Sequence, residues 1–117
     1  MVEQALATAD RSRERWYLSE LLRIKGELLL RAAGPQPAAS AAEHCFHRAI
    51  EMARRQGALF WELRGALSFA RLRVNQGRLY HARQLLAPVY GRFTEGFETP
   101  DLHSARAMLQ SLSSGLA

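Results

Sequence analysis

The sequence lacks most of what builds a catalytic centre or a membrane span. It has one cysteine, Cys45, among 117 residues, so no disulfide closes within the chain and no multi-cysteine metal site can be assembled. No stretch approaches the run of about 18 apolar residues that a membrane helix needs. The first ten residues have no basic leader followed by an apolar run, so no secretory signal is expected. A phosphate-cradling Gly-x-x-x-x-Gly-Lys-Ser/Thr loop is missing, and so is any paired-carboxylate or nucleophile–base constellation. These absences predict a soluble, cytoplasmic, non-membrane protein that is not an enzyme and carries no cofactor or metal.

Lysine is scarce too. Lys25 stands alone against 15 arginines, and the net charge is +5. The arginines are spread from Arg11 to Arg106, with no run longer than Arg54-Arg55. Such a diffuse excess acts on solubility and weak nonspecific attraction. Nucleic-acid binding through dispersed arginines is therefore the alternative reading and not the leading one. It requires an affinity that falls steeply with salt.

What is present is helical periodicity, and no strand alternation competes with it. A short helical piece covers Val2 to Asp10. A longer helix runs from Arg13 to Ala33, where Gly34-Pro35 stops it, and residues 34–37 read as a loop. Ser40 followed by Glu43 is a capping-box pattern that opens a helix running to Gln56, closed by Gly57. The next helix spans Leu59 to Gln76 and ends at Gly77 in a left-handed cap. Another runs from Leu79 to Phe93, bent by Pro88. Thr99 as N-cap, Pro100 at the first helical position and Asp101 beside the positive dipole end start the last helix. The apolar stripes are Ala42, Phe46, Ala49, Ile50 and Ala53; then Leu63, Ala66, Leu67, Ala70 and Val74; then Ala82, Leu86, Val89, Tyr90 and Phe93; and finally Leu102, Ala105, Leu109 and Leu112.

Two segments superimpose. The string RWYLSELLRIKGELLLRAAG lies over LFWELRGALSFARLRVNQGR at an offset of 44, which carries Gly26 onto Ala70. The following helices match at an offset of 40, with Ala42, Phe46 and Ala49 over Ala82, Leu86 and Val89. The unit is a helix pair used twice, and periods of this length mark α-solenoids. Antiparallel helices approach closely where side chains are short. Gly26 is therefore expected to face Ala42, and Ala70 to face Ala82, with Phe46 and Leu86 filling the space one turn on.

The run from Asn75 to Ala82 then resembles the turn of the tetratricopeptide repeat family, in which a Gly closes the first helix and an Ala follows five places later. The first unit shares Gly26, Ala42, Phe46 and Ala49 with that pattern; it departs in its longer turn and in lacking the terminal proline. The fold predicted is an all-α solenoid of antiparallel helix pairs, about two and a half repeats plus a C-terminal capping helix. Its parts are a half repeat at 1–12, repeats at 13–57 and 58–94, and a loop with the capping helix at 95–117. The strings LLRIKGELLL, AEHCFHRAIEMARRQGA, WELRGALSFARL and LLAPVYGRFTEGFETPDLHSA further resemble the C-terminal repeat tail of large bacterial ATPase and cyclase regulatory proteins. No ATPase or cyclase motif accompanies them here.

In that family the first helix of each pair lines a concave groove. The resemblance implies groove-facing Glu20, Arg23, Glu27 and Arg31, then Arg64, Leu67, Arg71 and Asn75. These would hold a protein or peptide partner, or another domain of the parent chain. The competing reading is a solvated helix face stitched by Arg23–Glu27 and Glu27–Arg31 ion pairs. The family's carboxylate clamp wants Asn where Glu27 stands, so capture of a peptide C-terminus is not implied. The piece at 1–12 lacks its partner helix, which predicts an apolar N-terminal face and a homo-oligomer through it. His44 and His47 flank Cys45 with no further ligands nearby, so the expectation is a half-buried thiol and no metal. Trp16, Tyr17, Phe60 and Trp61 fall at matching repeat positions and are assigned to packing, and Phe93 and Phe97 are expected under the last helix.

Overall fold

A computed structural model describes residues 16–33 and 35–116, with side chains at all of these but 16, 33, 35–38 and 114–116. The helix expected over Val2–Asp10, the half repeat and the self-associating face it implied, and the packing of Trp16 lie outside the described residues. Within them the protein is all-helical: α1 Trp16–Ala33, α2 Pro35–Arg55, α3 Leu59–Asn75, α4 Leu79–Tyr90 and α5 Pro100–Leu116, with no strand. No helix there is long and apolar enough to cross a membrane.

One expected boundary moves. The predicted loop at 34–37 is helical from Pro35, so α2 begins five residues before the Ser40–Glu43 pattern. Proline is tolerated at the start of a helix, where backbone N–H groups have no intrahelical acceptor. Pro35 and Pro37 both fall in that first turn, and the alanines after them are strong helix formers. The four extra residues that separate the two repeat offsets thus extend a helix instead of a loop.

Two turns are built alike. Gly57 and Gly77 have φ of 66° and 76°, a region that costs any residue with a Cβ. At the first, Gly57 N–H donates to Arg54 C=O at 3.1 Å and Ala58 N–H to Ala53 C=O at 2.9 Å. At the second, Gly77 N–H donates to Val74 C=O at 2.9 Å and Arg78 N–H to Arg73 C=O at 2.8 Å. This paired pattern satisfies the last carbonyls of the preceding helix.

Contacts divide the chain into two units, Met1–Gly65 and Ala66–Ala117, with the division inside α3. In the first, α1 packs on α2 around Leu18, Leu22, Phe46, Ala49 and Ile50, all buried. The Ser19 hydroxyl donates across the pair to the Ala49 carbonyl at 2.9 Å. Gly26 sits against the ring of Phe46: a Cβ there would stand 2.5 Å from Cε1 and 2.9 Å from Cδ1. The three atoms nearest that Cβ all belong to Phe46, the ring that the sequence placed one turn further along. The small residue makes room for the aromatic ring itself, so ring and glycine form one fitted pair. Gly65 repeats the device, lying against Ile50 and Ala49 of α2.

In the second unit α4 packs on α5, burying Ala82, Leu86, Val89, Leu102, Ala105 and Leu112. Helix α4 stops at Tyr90, three residues short of the expected Phe93. Pro88, on its exposed side, removes a backbone donor just before that end. Helix α5 starts at Pro100 as expected. The Thr99 hydroxyl donates back to the Gly96 carbonyl at 2.8 Å, and the Thr99 carbonyl accepts from His103 N–H at 3.0 Å, as at an N-cap position. Phe97 is not tucked under α5; it stays exposed, edge-on to Tyr90 with ring centres 6.0 Å apart.

Candidate partner-binding face

Glu20, on α1, is the centre of the best-defined polar cluster. Arg23 follows it by three residues, so both occupy one side of the helix. Arg23 Nε donates to Oε1 at 2.8 Å and Nη2 to Oε2 at 2.7 Å, a two-pronged bond. From α3, Arg64 Nε reaches Oε1 at 3.2 Å and Nη2 lies 3.1 Å from Oε2. One carboxylate therefore accepts both forks, and α1 is tied to α3 at positions 44 residues apart. That separation equals the repeat offset. Arg23 Nη1 also stands 3.9 Å from Glu27 Oε2.

Burial pushes the Glu20 pKa up, but hydrogen bonds and charge from Arg23 and Arg64 outweigh it and hold the carboxyl below its ordinary value. The carboxylate is ionised and fixed, so it is poorly suited to general acid–base work near neutrality. Aromatic rings border the cluster. The Arg64 guanidinium lies 5.9 Å from the Trp61 ring centre, and Phe60 meets Trp61 edge-on at 5.4 Å and 78°. Tyr17 and Phe60 are 40% and 39% exposed. Most of each ring is covered, and each also offers some surface to solvent.

The remaining predicted face residues divide. Arg31, Arg71 and Asn75 are exposed and Glu27 is half-buried. Leu67 is only 2% exposed, so it packs in the core and is unavailable as an apolar contact. Its spacing places it in the core stripe and its repeat register in the groove, and burial decides for the core. From Glu62 to Arg73, α3 is buried on nearly every side, with Arg64 and Arg71 as the open positions. The expected Glu27–Arg31 ion pair does not form among the described residues; Arg23 takes the Glu27 carboxylate instead.

One contributor was not singled out from sequence. Glu62, 1% exposed, accepts a hydrogen bond from Arg54 Nε at 2.9 Å across the Gly57 turn. A buried carboxylate demands such a partner, and an acid in the first turn of α3 is also favoured by the helix dipole. An acidic residue within an otherwise apolar helical start was the available signal. Cys45 is buried, more fully than the half-buried thiol expected. His44 and His47 point to solvent, with His47 Nδ1 3.1 Å from Glu51. No group of three or more His, Cys, Asp or Glu fit for a metal occurs among the described residues. No family model matches the chain, and neither a curated protein nor a solved structure matches it.

Proposed function

We propose that this chain is a non-catalytic protein–protein interaction module of tetratricopeptide-like helix pairs, serving as a regulatory part of a larger bacterial signalling ATPase or cyclase. The observation that carries the reading is the double-forked Glu20 clamp, which links α1 to α3 at repeat-equivalent positions. It fixes Arg23 on the helix that carries exposed Tyr17, and Arg64 one turn after exposed Phe60. Arginine and tyrosine fixed before a partner arrives lose little entropy on binding, and such residues dominate binding hot spots. A protein or peptide segment would lie along α1 and the start of α3, stacking on the rings and meeting the outward edges of Arg23 and Arg64.

A peptide array probed with the full chain tests this. Bound spots should fade at least about tenfold for Arg64→Glu and Arg71→Glu. An array with no spot above background, or spots indifferent to both reversals, leaves the helices a structural role only. The same protein titrated with a DNA duplex examines the nucleic-acid alternative. That alternative requires affinity to drop steeply between low and moderate salt.

A further inference from the structure

The α4–α5 pair carries a second surface of different chemistry. An open cleft of about 530 Å³ is lined by Tyr90 of α4 and by Arg106, Leu109, Gln110 and Ser113 of α5. At its far end Arg83 Nη1 donates to the Ser113 hydroxyl. Because the helices run antiparallel there, Tyr90 and Arg106 mark one end and Arg83 and Ser113 the other. Seven residues of α4 separate the ends, a length of about 10 Å at 1.5 Å per residue.

Among the described residues no acidic side chain lines the cleft. The sequence has no Asp or Glu between Glu62 and Glu95 and none after Asp101. Neither Arg83 nor Arg106 forms an ion pair among the described residues. An apolar floor of Tyr90 and Leu109 is thus bracketed by two positive charges that no described carboxylate neutralises.

We infer that this cleft is a docking site for an acidic amphipathic helix of a partner protein. The span between its ends equals the rise from residue i to i+7 of a helix, so two turns of apolar anchors fit over Tyr90 and Leu109. Carboxylates flanking that stripe at either end then meet Arg83 and Arg106 as charge-assisted hydrogen bonds. The charge of the cleft selects this occupant over a basic or neutral helix. The inference is independent of the face on α1 and α3, since it uses none of its residues.

The test is fluorescence anisotropy on the full chain with a designed, dye-labelled helical peptide. The peptide has leucines at i, i+3, i+4 and i+7 with glutamates at both ends of the stripe, and its twin has every glutamate replaced by lysine. The acidic peptide should bind saturably and the lysine twin at least about tenfold more weakly. In the double variant Arg83→Glu, Arg106→Glu the preference should reverse, a charge swap that a merely unfolded variant does not produce. Leu109→Ala should weaken the acidic peptide while leaving its preference over the twin unchanged. Absence of saturable binding to the wild-type chain overturns the inference, as does an acidic-peptide affinity unmoved by the double reversal. Equal Arg83- and Arg106-dependent binding of a DNA duplex also overturns it, because the cleft would then respond to charge alone.

Discussion

Arginines are anchored differently in the two units. In the first, Arg23 and Arg64 close on Glu20, and Arg54 reaches across a turn to buried Glu62. In the second, Arg73 is buried with its guanidinium 4.8 Å from the Phe69 ring centre and bonds Gln76 at 2.8 Å. Arg83 is held by a serine hydroxyl. The cause is compositional: no acid lies between Glu62 and Glu95, so arginines there find rings, amides and hydroxyls. A carboxylate neutralises a guanidinium, whereas a ring face or an amide only orients it. The first unit therefore pairs Arg23, Arg64 and Arg54 with carboxylates, whereas in the second Arg83 meets a hydroxyl and, among the described residues, no carboxylate.

Truncation of the fully buried residues that match across the two helix pairs is the strongest way to break this comparison. Phe46→Ala should cost about 3–5 kcal/mol and Leu86→Ala about 2–5 kcal/mol, by lost transfer energy plus an unfilled cavity. Because α3 contributes residues to both units, each substitution is expected to lower one shared unfolding transition in calorimetry. Two separated transitions, each moved by only one of the substitutions, would show units that melt independently.

Next in size is Gly26→Ala. A Cβ within 3 Å of a fully buried ring overpacks the site by about 1–3 kcal/mol, and the better helix propensity of alanine returns about 1 kcal/mol. The net expectation is a loss of up to about 2 kcal/mol in chemical denaturation. Phe46→Leu in the same molecule should remove most of that penalty. If the double variant is no more stable than the two losses added together, glycine and ring are not coupled.

How much was legible follows from which forces act locally. Helix ends set by Gly57, Gly77 and Pro100 were readable, because one residue with special backbone freedom or restriction decides each. Ala42, Phe46, Ala49, Ile50 and Ala53 were identified as core by their spacing alone, and all are buried. The start of α2 was misread because two prolines signal a loop unless both fall in the first turn. Leu67 was misassigned because a repeat register says which side of a helix a residue occupies, not how much of that side is covered. Glu20 and Arg64 were each identified as polar face residues, but their bond joins side chains 44 positions apart, which no local pattern reveals.

The two glycine turns sharpen the comparison where the units agree. Both hold the same pair of backbone hydrogen bonds, and a Cβ added at either glycine would meet nothing within 4 Å beyond its immediate chain neighbours. The whole penalty for alanine is then the left-handed backbone, about 1 kcal/mol. Gly57→Ala and Gly77→Ala should shift the melting temperature equally. A clear inequality would mean that one turn is strained by surroundings the other lacks.

The smallest effect, and the one that separates the units most directly, is acid sensitivity at Glu20. Its folded pKa is depressed, so its contribution is present above the unfolded-state pKa and is lost as pH falls through the folded value. The cluster is part-exposed, which keeps such pairs to about 1 kcal/mol or less. Glu20→Gln should therefore lower stability near neutral pH and flatten the decline on the acid side, read as melting temperature against pH. Arg83→Gln, which removes a guanidinium bonded to a hydroxyl and no carboxylate, should leave the shape of that curve unchanged. If both substitutions flatten it alike, the arginines of the second unit also answer carboxylates, and the contrast between the units is lost.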